Sequence, residues 1–294
     1  MALIPFDDRD GQIWLDGKLV PWREAKVHVL THGLHYGSAV FEGQRAYDGE
    51  IFKLEEHTDR LIRSAAVLGM RVPFAVADIN RACRDVLAAA ELKDAYMRPV
   101  AWRGSEQMSV SAQGARTHVA IACWAWPSMY DPAIKAKGIK LDIARWRRPA
   151  PDCAPVKAKA AGLYMICTLA KHEAEDKGCA DAMMYDYRGL IAEATGANIF
   201  FAREGKLHTP MPDCFLDGIT RRTVMELARA RQIEVIERHI PADELSSFSE
   251  SFLTGTAAEV TAVSEIGPHK FAPGQITRGL AGDYEALVRR KKAA

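Results

Sequence analysis

The run Ala182-Met-Met-Tyr185-Asp186-Tyr-Arg-Gly189-Leu190-Ile-Ala-Glu193-Ala-Thr-Gly196-Ala-Asn198-Ile-Phe-Phe-Ala202-Arg203-Glu-Gly-Lys206 holds three short apolar segments separated by tight-turn sequences. Segments 182–185, 190–193 and 198–202 are too short for helices and suit a pleated, largely buried surface, so they predict strands joined as hairpins. Hairpin joints argue for an α+β chain rather than a purely parallel, doubly wound sheet. Working outward, the pattern predicts a strand over 138–144, helices over 162–176 and 219–231, and a strand over 233–237. A strand pair around Gly255 and a helix over 277–290 complete the second half.

The first half opens with two short apolar runs around Asp16-Gly17, a strong hairpin signal. Leu54, Leu61, Ala65 and Leu68 form a helical stripe that Gly69 stops, and a second helix follows an Asp78 cap with Ile79, Cys83, Val86 and Ala90 on one face. Strands are predicted over 96–102 and 118–126, and the two prolines between Trp126 and Pro132 predict a connection. The expected division is a small N-terminal α/β domain (1–126), a linker (127–134) and a larger C-terminal domain (135–294).

Composition excludes several classes. The 294 residues carry 39 Lys+Arg and 38 Asp+Glu, a net charge of +1, so there is no global field to collect nucleic acid or anionic lipid. At 48% hydrophobic and 26% charged residues the chain reads as globular rather than disordered. The longest apolar run, 119–126, is eight residues, far short of a membrane span, and MALIPFDDRDG lacks a secretion-signal pattern. The six cysteines show no paired spacing and read as thiols, which predicts a cytoplasmic protein.

Some patterns mislead. His28, His32 and His35 have the spacing of a helical metal site, but Val27, Val29, Thr31, Gly33 and Gly37 argue against a helix there, and no metal is expected. Gly11 to Leu19 resembles a phosphate loop, yet five residues separate its glycines and Leu19 stands where a hydroxyl belongs. The basic run 289–292 reads as a solvated tail.

Other segments are poorly explained by folding alone. Lys157 and Lys159 lie in small, apolar surroundings where an amine can lose its charge and form an imine, although this segment alone favours two surface lysines on an extended loop. Leu216-Asp217-Gly218-Ile219-Thr220-Arg221 puts a glycine turn at a helix start, where backbone N–H groups suit a phosphate, and Gly255-Thr256-Ala257 offers a second turn. Glu193 and Asn198 bracket a tight turn, and a buried carboxylate there needs a cationic partner.

Eight segments in order carry a resemblance over nearly the whole chain. They are 25–29, His35-Tyr36-Gly37 through Phe41-Glu42-Gly43, Glu56-His57-x-x-Arg60-Leu61, Tyr96-x-Arg98-Pro99, Lys159-x-x-Gly162-x-Tyr164, Glu193-x-x-Gly196-x-Asn198, Gly218-x-x-Arg221 and Gly255-x-x-x-Glu259. The chain resembles the fold-type IV pyridoxal-phosphate enzymes, of the D-amino acid aminotransferase-like architecture, and among them the bacterial branched-chain amino acid aminotransferases. The resemblance implies pyridoxal 5'-phosphate as cofactor, with Lys159 rather than Lys157 as the imine-forming catalytic lysine. It implies Glu193 on the pyridine nitrogen, and Tyr164 beside the ring oxygen. Arg60, the N–H groups of Ile219 and Thr220, and Thr256 would hold the phosphate, with Gly196, Asn198, Leu216, Gly218 and Gly255 as further contacts.

For substrate, Tyr96 and Arg98 are two apart on a strand and share a face. The resemblance implies that they, with the Thr256 and Ala257 N–H groups and Tyr36 of a neighbouring subunit, receive the carboxylate, and that Phe41, Val110 and Tyr130 line an apolar pocket. The implied reaction transfers the amino group of L-leucine, L-isoleucine or L-valine to 2-oxoglutarate in a homodimer or higher homo-oligomer. Leu163, Ala197 and Gln44 depart from the usual pattern, with Gln44 expected at the pocket's edge. D-amino acid or amine transamination, an aminodeoxychorismate-lyase-like activity and a catalytically silent module are the competing readings.

Overall fold

The computed structural model describes residues 4–126, 129 and 132–289. Two compact units emerge, the first comprising 1–127 with 158–162, and the second 128–157 with 163–294.

In the first unit, strands β1 (Gln12–Leu15) and β2 (Lys18–Pro21) form the expected hairpin. Asp16 and Gly17 both have positive φ, 45° and 100°, the conformation a two-residue turn of this hand requires. A short helix α1 (His32–Tyr36) follows and ends at Gly37. This corrects the reading of 28–35 as non-helical: the β-branched run stops at Thr31, and one helical turn fits before the glycine. Next come β3 (Ala39–Phe41), β4 (Gln44–Tyr47) and β5 (Glu50–Ile51), then helices α2 (Leu54–Val67) and α3 (Val76–Ala89), and long strands β6 (Ala95–Arg103) and β7 (Thr117–Ala125). The sheet runs β2-β1-β7-β6-β4-β5 with β3 also on β6, every pair antiparallel.

Helix α2 buries Leu61 and Ala65, and α3 buries Ile79, Cys83 and Val86, against Met97, Val119 and Ile121 of the sheet. Asp78 is not the cap of α3: the helix starts two residues earlier, and the Asp78 carboxylate accepts the Ala75 N–H (3.3 Å) from inside the first turn. Strands β3 to β5 were not legible because Gln44-Arg45 interrupts the apolar pattern, yet all four residues of β4 are buried. Gln44 is fully buried, and neither polar atom of its side-chain amide finds a hydrogen-bond partner.

The second unit holds α4 (Pro132–Lys137), β8 (Ile139–Ile143), α5 (Met165–Asp176), β9 (Asp181–Tyr185), β10 (Ile191–Ala194), β11 (Asn198–Arg203) and β12 (Lys206–Pro210). It continues through α6 (Ile219–Ala230), β13 (Val235–Arg238), β14 (Glu250–Gly255), β15 (Glu259–Ile266), β16 (His269–Lys270) and α7 (Gln275–Val288). Its sheet is mixed: β8–β9, β8–β15 and β12–β13 are parallel, and the 182–202 hairpins are antiparallel as expected. The path β10-β9-β8-β15-β14-β11 closes on itself through a β10–β11 pairing whose register partners are Glu193 and Asn198. Closure at this point puts both residues at one rim of a strand ring.

Candidate active site

Within the first unit, the stretch around Lys159 lies against β3. Ala160 bridges Val40, the Lys159 carbonyl accepts the Phe41 N–H (3.1 Å), and the Lys159 N–H donates to Ser64 Oγ (3.0 Å). Ala158 and Ala160 are buried, Lys157 is exposed and Lys159 half-buried, so the two lysines of the segment differ sharply in setting. Lys159 Nζ stands 4.9 Å from the Phe41 ring centroid. The Arg98 guanidinium packs on the same ring at 4.7 Å and donates to the Tyr96 hydroxyl (3.1 Å). Tyr96 and Arg98 therefore share a face as the strand period requires, and Arg98 Nε is buried without a hydrogen bond. Gly43 is needed here, because any Cβ would run into the Tyr96 hydroxyl.

Arg60 reaches from α2 to Glu42 through Nε–Oε1 (2.6 Å) and Nη2–Oε2 (2.8 Å), and His57 Nδ1 lies 2.7 Å from Glu42 Oε2. Burial alone would raise the Glu42 carboxyl, but the Arg60 charge and the hydrogen bonds from Arg60 and His57 outweigh it and hold Glu42 at about 2. Burial lowers His57, against the pull of Glu42.

Within the second unit, Glu193 is buried, its Oε1 lies 3.3 Å from Arg148 Nε, and its Oε2 accepts from Asn198 Nδ2 (3.2 Å). Asn198 also donates to the Leu216 carbonyl (2.9 Å) and accepts the Gly218 N–H (3.2 Å), tying the carboxylate to the turn that starts α6. A Cβ at Gly218 would overlap the Asn198 side-chain oxygen, which explains the glycine. The N–H groups of Ile219 and Thr220 begin α6, where backbone donors have no partner within the helix. Gly255 stands against buried Ala197, which places the Thr256-Ala257 turn beside Gly196, and Ala197's place in the core accounts for its apolar character. Tyr164 is half-buried against Ala144, Cys167 and Ala170.

Tyr36 is 47% exposed and stacks on His32 at 4.6 Å, and Val110 is 84% exposed on the loop after β6. A single chain leaves both open to solvent; Tyr130 lies outside the described residues. The three histidines are engaged separately: His28 Nδ1 with the Leu30 N–H, His32 Nε2 with the Ser109 carbonyl, His35 Nε2 with the Val29 carbonyl.

Sequence reading missed the Arg148 guanidinium, the cationic neighbour of Glu193, and the cluster that Glu42 and His57 form with Arg60. Arg148 sits in Trp146-Arg147-Arg148-Pro149, where nothing local distinguishes a buried arginine from an exposed one. Glu42 and His57 lie in segments that carry the resemblance, and only the fold brings them into contact with each other and Glu42 with Arg60. The residues of each unit suit a phosphorylated pyridine aldehyde by their chemistry: in the first a half-buried amine and a guanidinium, in the second a buried carboxylate that accepts from Asn198 and pairs with Arg148, and helix-start N–H groups.

The amino-transferase class IV family model matches residues 39–266. A Rickettsia felis protein named probable branched-chain-amino-acid aminotransferase is 42% identical over 293 residues, 98% of this chain and 100% of its own length. A branched-chain aminotransferase from Thermoproteus uzoniensis, solved with norvaline, superposes with a TM-score of 0.91 at 37% identity, covering 96% of this chain and 95% of its own. A branched-chain amino acid aminotransferase from Thermobaculum terrenum, solved in its PLP-bound holo-form, gives a TM-score of 0.87 at 33% identity, covering 95% of this chain and 94% of its own.

Proposed function

The chain belongs to the class IV aminotransferase family, and from that premise we propose that it transfers the amino group of L-leucine, L-isoleucine or L-valine to 2-oxoglutarate, using pyridoxal 5'-phosphate. The observation that carries this reading is the Lys159 amine beside the Phe41 ring on which the Arg98 guanidinium also packs while it donates to the Tyr96 hydroxyl: a nucleophilic amine, an apolar wall and a carboxylate receptor close together.

When bound, the cofactor offers an aldehyde to amines and a protonated ring that withdraws electrons from the substrate's α-carbon. Lys159 Nζ takes the proton from that carbon and returns it. Glu193 holds the proton on the pyridine nitrogen, with Arg148 and Asn198 keeping its carboxylate oriented. Tyr164 donates to the ring oxygen, and Arg60, the Ile219 and Thr220 N–H groups and Thr256 hold the phosphate. Gly196, Leu216, Gly218 and Gly255 contribute backbone around the ring. Arg98, Tyr96 and the Thr256 and Ala257 N–H groups orient the substrate carboxylate, and so choose which C–H bond faces Lys159. Phe41 contributes to an apolar pocket in which each buried methylene is worth about 0.8 kcal/mol, favouring leucine over alanine.

The working protein in this reading is a homodimer, with Tyr36, Val110 and Tyr130 among the pocket residues. Exposed Val27, Val29, Leu30, Leu34, Tyr36 and Val110 support it, because so much apolar surface in the first unit calls for a covering partner. In this reading 1–126 is the small domain, 127–134 the linker and 135–294 the larger cofactor-binding domain, although residues 158–162 group with the first unit. Six free cysteines are in keeping with a cytoplasmic setting. A half-reaction panel tests the assignment by following cofactor absorbance with L-leucine, L-valine, L-glutamate, D-alanine and simple amines. Faster reaction with D-alanine than with L-leucine would overturn it.

A further inference from the structure

Three ionisable side chains, Glu42, His57 and Arg60, are packed together in the first unit, and the first two are almost wholly buried. Removing such groups from water is costly, and apolar residues of similar size would serve a purely structural purpose as well. The geometry instead suits orientation. Glu42 engages Arg60 along the Nε–Nη2 edge with both carboxylate oxygens, which fixes the plane of the guanidinium and turns its Nη1 corner away from Glu42. His57 in turn fixes Glu42, its Nδ1–H donating to the Oε2 that Arg60 Nη2 also uses. Thr58, between them on α2, donates to Asn80 of α3 (2.6 Å), so the helix that carries His57 and Arg60 is itself pinned.

We propose that Glu42 and His57 are positioning residues of a phosphate clamp: they hold the Arg60 guanidinium ready for the phosphate of pyridoxal 5'-phosphate without touching it. This rests on the assignment of Arg60 to that phosphate. An arginine held in place beforehand loses little side-chain freedom when the anion arrives, so the effect belongs in affinity for the phosphorylated cofactor and not in affinity for its dephosphorylated form.

The test titrates the full-length chain, stripped of cofactor, with pyridoxal 5'-phosphate and with pyridoxal. Glu42→Gln and His57→Gln should weaken the phosphorylated compound by about tenfold or more, as when a hydrogen bond to a charged group is loosened, and leave pyridoxal unchanged. On an Arg60→Ala background neither substitution should add to the loss. Equal weakening of both compounds, or additive losses with Arg60→Ala, would overturn the proposal. His57→Gln carries the test if Glu42→Gln does not fold. Wild-type chain that binds both compounds equally would instead remove Arg60 from the phosphate, and the proposal with it.

Discussion

Glu193 and Asn198 are partners twice over: their backbones form the register pair that closes the second sheet, and Asn198 Nδ2 donates to Glu193 Oε2 at 3.2 Å. The Asn198 side chain bonds to Glu193, the Leu216 carbonyl and the Gly218 N–H. One amide thus fixes both the carboxylate and the start of α6. Asn198→Ala should lower stability by about 1–3 kcal/mol, from buried groups left unsatisfied, and weaken cofactor binding with it. Denaturant unfolding and cofactor titration check this; unchanged cofactor affinity would separate the turn from the site.

Lys159→Ala should abolish transamination, while Lys157→Ala should leave it intact, because Lys157 is exposed and Lys159 is held by its backbone against β3. Borohydride reduction and peptide mapping should put the cofactor on Lys159. Label on Lys157 would contradict the assignment.

Acid should destabilise the chain in two ranges. Burial lowers His57 below its ordinary 6.5, so the folded state favours the neutral ring, and this contribution is complete above pH 6.5 and lost as pH falls below it. Glu42 is held at about 2 against 4.5, so its contribution is complete above pH 4.5 and lost as pH falls toward 2. Urea midpoints measured across these ranges should fall in both, and His57→Gln should flatten the first. A flat wild-type profile below pH 6.5 would mean that His57 is not buried neutral.

Arg98→Ala should harm L-glutamate more than L-leucine. Arg98 Nε is buried without a hydrogen bond and its guanidinium lies on Phe41, so a second carboxylate has a donor there that an isobutyl group does not need. A difference of about 2 kcal/mol in the ratio of kcat/KM values is expected from losing a hydrogen bond to a charged group. Equal losses would give Arg98 the α-carboxylate alone.

Mixing inactive Tyr36→Ala and Lys159→Ala protomers should restore part of the activity, since one of the two sites in a mixed dimer regains both groups. Tyr36 is 47% exposed in the single chain, as a residue serving a neighbour would be. No rescue after proven subunit exchange would confine each site to one chain.

Local sequence sufficed for much of this protein. The Asp16-Gly17 turn, the stripes of α2 and α3, and the hairpins between 181 and 206 depend on backbone preferences and periodicity within about ten residues. Lys159, Glu193 and Gly218 stood out as candidates because their segments stand in a recognisable order. What only the tertiary structure decided is which distant groups meet. Arg148 finds Glu193 across 45 positions, Glu42 finds Arg60 and His57 across 18 and 15, and the β10–β11 closure depends on the whole ring of strands. A charged side chain reads the same in sequence whether it ends in water or against a buried partner; only folding selects between them, by making desolvation tolerable where an opposite charge already waits.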